Sequence, residues 1–189
     1  MDAALDLLAA RGEDGVSLRE VTDAAGANVA AVSYHFGSLK ALCDAALEQA
    51  LERYSDAQQE AVSALGPDST LETVAAALAR PMIGALAAGG RELDVIRTVA
   101  RAALDPPQGW ARFDASFDRI RADLLRVLKA NISDVPDREL IFRTRCAAGL
   151  LNWLVLAPVG AELRNKPEKQ IERRLVPILA GTLRAASAG

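Results

Sequence analysis

Glycines and capping residues cut residues 2 to 45 into four runs, and each run carries helical spacing. The run from Asp2 to Ala10 places Leu5, Leu8 and Ala9 on one face and stops at Arg11-Gly12. Ser17-Leu18-Arg19-Glu20 has the form of a capping box, in which a serine oxygen takes a first-turn N–H and the glutamate reaches back. The short helix that follows turns Leu18, Val21 and Ala25 inward and ends at Gly26. Asn28 is a good N-cap for a second short helix, Val29 to His35, closed by Gly37-Ser38. Two short helices joined by a tight glycine turn form a DNA-reading geometry. The second can lie in the major groove while the first braces it. The same pattern also occurs in ordinary helical bundles.

The remainder continues in helices. A long one is predicted from about Leu39 to Leu65, broken by Gly66-Pro67-Asp68. Ser69-Thr70-Leu71-Glu72 reads as a second capping box, opening a helix to about Ala88 that Pro81 should kink. Further helices are expected over Glu92–Leu104, Gly109 to Asn131, Pro136 to Leu156 and Glu168–Arg184. That makes about nine helices and no strand. Alanine and leucine dominate, β-branched residues are sparse and aromatics are only 4%, which favours the same all-α class. The fold expected is an N-terminal three-helix domain over residues 1–46, joined without a flexible linker to a larger helical domain over residues 47–189.

The chain of 189 residues is long enough to bury a core without disulfides. Cys43 and Cys146 fit reduced, buried cysteines of a cytoplasmic protein, with a disulfide as the alternative. No apolar run is expected to span a membrane, and the start lacks the basic region of a signal peptide. The single histidine, His35, leaves no material for a His-based metal site or triad, and there is no Gly-rich phosphate loop after a strand. The expectation is therefore a non-enzyme without cofactor or metal.

The stretch Val32-Ser33-Tyr34-His35-Phe36-Gly37-Ser38 carries a resemblance. With Gly15, Ser17, Val21, Ala25-Gly26, Asn28 and Leu42 at matching spacing, residues 3 to 47 resemble the TetR family of repressors. The resemblance implies a dimeric, ligand-responsive regulator that binds double-stranded operator DNA. It also implies that Tyr34, His35 and Lys40 grip phosphates. The chemistry of the other residues fits beside it. Ser17, Arg19 and Thr22 lie on the bracing helix, where Arg pairs with a phosphate and Thr donates to one. Asn28, Ala30, Ala31 and Ser33 lie on the solvent side of the reading helix, where Asn can read adenine and alanine can touch a thymine methyl. Val29, Val32, Phe36 and Leu42 are expected inward.

This chain departs from the family pattern at Ser33, at Leu39 in place of the usual lysine, and in charge. Residues 1–45 hold three basic residues against seven acidic ones, a net of −4. Phosphate surfaces carry the opposite sign. A basic arm upstream of the first helix is expected to contribute to full-strength binding. A helical adaptor that binds a protein in place of DNA stays open on the same ground.

The resemblance further implies an effector cavity and a homodimer in the larger domain. Met82, Ile83, Leu86, Val95, Val99, Trp110, Phe113 and Phe117 are the cavity candidates, although an aromatic stripe at helical spacing also fits a plain core. Arg97 and Arg101, at i and i+4, would either meet a carboxylate or form a solvated edge. Phe142, Cys146, Leu150, Trp153 and Leu154, with Ile171, Leu175, Ile178, Leu179 and Leu183, are candidates for the dimer face, with an intramolecular core as the alternative.

Overall fold

The computed structural model describes residues 1–106, 115–132 and 134–184. Among these the protein has nine α-helices and no strand, so the all-α expectation stands. The helices are α1 Asp2–Arg11, α2 Leu18–Ala25, α3 Val29–Phe36, α4 Leu39–Ser63, α5 Leu71–Ala88, α6 Gly90–Leu104, α7 Asp118–Asn131, α8 Asp137–Leu156 and α9 Glu168–Arg184. Short 3-10 turns fill Glu13–Gly15, Ala115–Phe117 and Pro158–Leu163. The expected helix from Gly109 to Asn131 is seen from Asp118 onward, after the Ala115–Phe117 turn. Trp110 and Phe113 lie outside the described residues.

The apolar residues collect in three clusters, and their order along α4 organises the molecule. Leu42, Cys43 and Ala46 of α4 close a small core with Ala4, Leu8, Val16, Val21 and Val32. One turn on, Leu47, Ala50 and Leu51 meet Leu5 of α1 and Val95, Val99 and Ala102 of α6. Near its far end, Ala61 and Val62 join the main core, which α5, α6, α7, α8 and α9 complete. Against expectation, Val29 and Ala25 face out: Val29 sits at the start of α3 with 46% of its surface exposed. Val32 and Phe36, one turn apart, carry the inward face of α3 without it.

α5 runs through the main core and packs most extensively on α9. It is long and apolar enough, by length and composition, to cross a membrane, which corrects the expectation that no run approaches that length; 56% of it is buried inside the protein. Its cap also differs from expectation. Thr70, not Ser69, is the N-cap and accepts from the Thr73 N–H at 3.2 Å. Ser69 instead accepts from the Gly66 N–H, and Glu72 pairs with Arg184 of α9 at 2.7 Å.

Pro81 sits inside α5 and has no N–H to give. The carbonyl four residues before it, that of Ala77, would be left without its helical partner in a dry core. Gln58 of α4 supplies the missing donor, its Nε2 lying 3.0 Å from the Ala77 oxygen. This explains why a glutamine is 4% exposed amid alkyl side chains. Gln58→Leu should therefore destabilise the fold by about 1–3 kcal/mol, the cost of stranding a buried carbonyl. In a Pro81→Ala background, α5 can restore its own bond, and the same substitution should cost less. A double-mutant cycle in urea checks this; equal costs in both backgrounds would remove Pro81 from the explanation.

Candidate nucleic-acid interface and interior cavity

The capping signals produce the local geometry they encode. The Ser17 oxygen accepts from the Glu20 N–H at 3.3 Å, and the Ser17 N–H donates to the Glu20 carboxylate at 3.0 Å. Arg11 at the end of α1 reaches the other carboxylate oxygen at 2.7 Å. Hydrogen bonding to Ser17, then to Arg11, holds Glu20 down at about 2. Gly26 takes the left-handed conformation at the end of α2, with φ of 59°. The chain then turns into α3, where the Asn28 side-chain oxygen accepts from the Ala30 N–H at 2.9 Å. Ser38 caps α4 through the Ala41 N–H at 3.1 Å. The caps on α2 and α3 fix the ends of helices of eight residues each, too short to hold themselves.

This frame leaves one face of α3 bare. Ala30, Ala31, Ser33, Tyr34 and His35 are all exposed, Tyr34 at 85%. The Tyr34 and His35 rings meet edge to face with centroids 5.1 Å apart. Ser17 is exposed at the mouth of α2, and the Arg19 side chain is 90% exposed beside it. Thr22 is not on this surface. It is buried, and its hydroxyl donates to the Arg19 carbonyl at 2.9 Å, because α2 turns that side toward Val21 and the core. Asn28 turns its oxygen back onto its own helix, so its amide does not offer donor and acceptor side by side to a base.

The cations of this domain are largely occupied. Lys40 lies 3.1 Å from Asp44 and 3.4 Å from Glu13, and these carboxylates, Asp44 first, raise its pKa. Arg11 is held by Glu20. Arg19 has only the loose contact to Asp23 at 3.7 Å, with both side chains in solvent.

α1 is fastened to α6 along its whole length. Asp2 pairs with Arg91, Thr98 lies 3.5 Å from the Leu5 carbonyl, and Arg101 reaches the Ala9 and Ala10 carbonyls, both at 3.1 Å. Those last carbonyls are the free acceptors of a helix C-terminus, where a cation is favoured. Arg101 thus reaches across to α1 and does not line the cavity among α4 to α8. Arg97 stays on α6, 3.7 Å from Asp94. The spacing of the two arginines gave no sign of which one would leave its helix.

A cavity of about 340 Å³ opens among α4, α5, α6, α7 and α8. Its walls include Leu78, Val99, Ala103, Phe117, Ile120, Leu124 and Ile141, with Tyr54, Gln58, Arg121, Thr144, Arg145 and Asn152 as polar members; Arg121 is paired with Asp118. Burial pushes the Tyr54 hydroxyl up to about 12. Of the expected lining residues, Val99 and Phe117 face this space. Met82, Ile83 and Leu86 do not; they are among the side chains of the main core. Val95 packs between α1, α4 and α6. Leu78 of α5 lines the cavity, whereas Met82, one turn on along the same face, does not. The polar members were missed, since isolated Tyr, Gln and Arg residues carry no spacing signal. A second hollow of about 450 Å³ is lined by residues that include Leu8, Cys43, Asp44, Arg101 and Asp105. Among the described residues no three His, Cys, Asp or Glu side chains group as metal ligands.

The candidates for a dimer face separate into two sets. Phe142, Trp153 and Ile178 are 61%, 53% and 56% exposed, and Cys146 is exposed with them, which corrects its expected burial. Leu150 is half-buried. Leu154, Ile171, Leu175, Leu179 and Leu183 belong to the protein's own core, packed toward α5. Both cysteines are free, and burial pushes the Cys43 thiol up to about 11.

Residues 1–46 match the family model of bacterial regulatory proteins of the tetR family. No curated protein matches the chain. Among solved structures, the chain is similar to a TetR family transcriptional regulator, PfmR, from Thermus thermophilus. The identity is 19% and the TM-score 0.66, over 98% of this chain and 97% of that one. The chain thus carries a match to the tetR family model at residues 1–46 and, over nearly its whole length, the fold of a solved TetR family regulator.

Proposed function

We propose that this protein is a dimeric transcriptional repressor that leaves a palindromic operator when a small, largely apolar molecule enters its cavity. The observation that carries the reading is the bare face of α3, held by caps at both ends and braced by α2. Residues 1–46 act as the reading head and residues 47–189 as the effector-binding and dimerisation body. Arg19 and Ser17 contact phosphate from α2, Tyr34 and His35 do so from the end of α3, and Ala30, Ala31 and Ser33 approach the bases. Lys40 joins them only by giving up its carboxylates.

A two-fold operator needs two reading helices about 34–36 Å apart. The exposed apolar residues Phe142, Trp153 and Ile178 supply the surface for pairing, α8 and α9 of each copy forming a four-helix bundle. The cavity falls at the small end of the usual range for ligand sites, roughly 300–1,000 Å³. Arg145 on its wall has no hydrogen bond or ion pair among the described residues, and it suits a ligand with one anionic end.

A helical adaptor is the second reading, favoured by the net charge of −4 over residues 1–45. Gel shift of the full chain with duplexes from beside its own coding sequence separates the two. A shift at low salt is expected, and no shift with any of them would favour the adaptor.

Four further outcomes are expected. Arg19→Ala should weaken binding to all sequences alike and lower the salt slope by about one. Lys40→Ala should change the slope by less, because its charge is already matched by Glu13 and Asp44; fluorescence anisotropy across a salt series from roughly 50 to 200 mM compares them. Trp153→Glu should shift the protein from dimer to monomer in sedimentation and leave its helical circular dichroism intact. Arg145→Gln should reduce affinity for an apolar carboxylate such as decanoate, with little change for the matching alcohol, as read by calorimetry.

A further inference from the structure

We propose that this protein selects its operator by thymine methyl groups, and that its half-sites are defined by T·A pairs without a guanine anchor. The proposal rests on operator binding through α3 and adds what that helix can distinguish. At about 100° per residue, Ala30, Ala31 and Tyr34 lie opposite Val32 and Phe36, which pack into the small core. The outward face of α3 is thus two methyl groups and one phenol ring, with the exposed His35 ring edge-on to Tyr34 in the last turn, away from the N-terminal turn that meets base edges. Ser33 flanks them, and a hydroxyl bonds to several base edges without discriminating. Val29 adds a partly exposed isopropyl group at the N-terminal end, the part of a recognition helix that meets base edges.

Guanine is read by Arg or Lys reaching O6 and N7, and α3 has neither. The other cations of the domain are held elsewhere: Arg11 by Glu20, and Lys40 by Asp44 and Glu13. Arg19 belongs to α2, the helix that crosses the backbone. Adenine is read by a side-chain amide offering donor and acceptor together. The Asn28 oxygen is turned onto the Ala30 N–H, and α3 carries no glutamine or other asparagine. What remains is apolar contact. In the major groove the thymine C5-methyl is the apolar feature that separates the base pairs. Burying one methyl group against alanine or valine is worth about a threefold to fivefold change in affinity.

The test is selection of the full chain on random-sequence duplexes, followed by deoxyuridine replacement of each thymine in the retained sites. Uridine keeps every hydrogen-bonding group and loses only the methyl. We expect retained half-sites with thymines at two or more positions facing α3, and about threefold to fivefold weaker binding for each methyl removed there. Arg19→Ala should weaken binding to the thymine and uridine duplexes by the same factor. Half-sites fixed by guanine, or binding indifferent to uridine, would overturn the proposal and leave operator binding intact. Retention of no duplex at low salt would overturn both.

Discussion

A single unbroken helix holds the N-terminal head to the body. α4 spans 25 residues, roughly 37 Å at about 1.5 Å per residue. Its first turns complete the small core, its middle fills the seam against α1 and α6, and its far end enters the main core. The three-helix head buries little apolar surface by itself, and small cores are marginal. By contributing Leu42, Cys43 and Ala46 to the head and Val62 to the body, α4 makes each core a support for the other. The seam adds Leu5, Leu47, Leu51, Val95 and Val99, so rotation of the head about α4 would expose apolar surface on both sides.

The charge pattern follows from the same economy of size. Seven acids in the first 45 residues look hostile to a phosphate surface, but several are spent within the domain. Glu20 closes the capping box and holds Arg11; Glu13 and Asp44 share Lys40; Asp2 pairs with Arg91 of α6. These contacts tie the loop of residues 12–16 and the start of α4 to the head, where hydrophobic area is scarce. They also consume the cations, and exposed pairs of this kind add little stability each. Any affinity for DNA must then draw on Arg19, backbone amides and shape more than on net charge. On the proposed function, a head of this composition favours sequence discrimination over strong non-specific binding, since the salt-dependent term supplies most of the latter.

The helix pattern was legible because its signals are local. Ser17 with Glu20, Gly26, Asn28 and Ser38 each act within a few residues, and all four ends fall where these residues place them. The head was legible for the further reason that Tyr34-His35-Phe36 stand at a spacing shared with a known family. Residues whose role depends on a distant partner were not legible. Gln58 answers a proline on another helix, Arg101 answers carbonyls more than 90 positions away, and the sequence holds no trace of either pairing. Cavity and core could not be separated either: Met82 and Val99 are both apolar at helical spacing, and only the packing of α7 and α8 leaves Val99 facing empty space. The same limit divided the dimer candidates. Ile171 and Ile178 are both isoleucines of α9, two turns apart, yet one is fully buried against the body and the other is bare.

α6 is where cavity and reading head meet. On one side Val99, Ala103 and Leu104 line the cavity; on the other, Val95, Thr98, Arg101 and Ala102 face α1 and the seam. Val99 belongs to both. A molecule in the cavity can change the position of the head only if it binds the two positions with different affinity. The geometry offers a source for that difference. α6 is held to α1 by polar contacts at Asp2, Leu5, Ala9 and Ala10, so it cannot move outward from an occupied cavity without carrying α1 with it. α1 in turn forms part of the floor beneath α2 and α3 through Ala4 and Leu8. Because packed cores resist continuous deformation, such a displacement moves the head as a body and leaves the fold of α3 unchanged. A change of about 1.4 kcal/mol in the balance between two head positions alters operator affinity tenfold. That is the scale of a single buried methyl or two on a ligand. On the proposed function, modest apolar contact in a cavity this small suffices for control, provided that contact bears on α6.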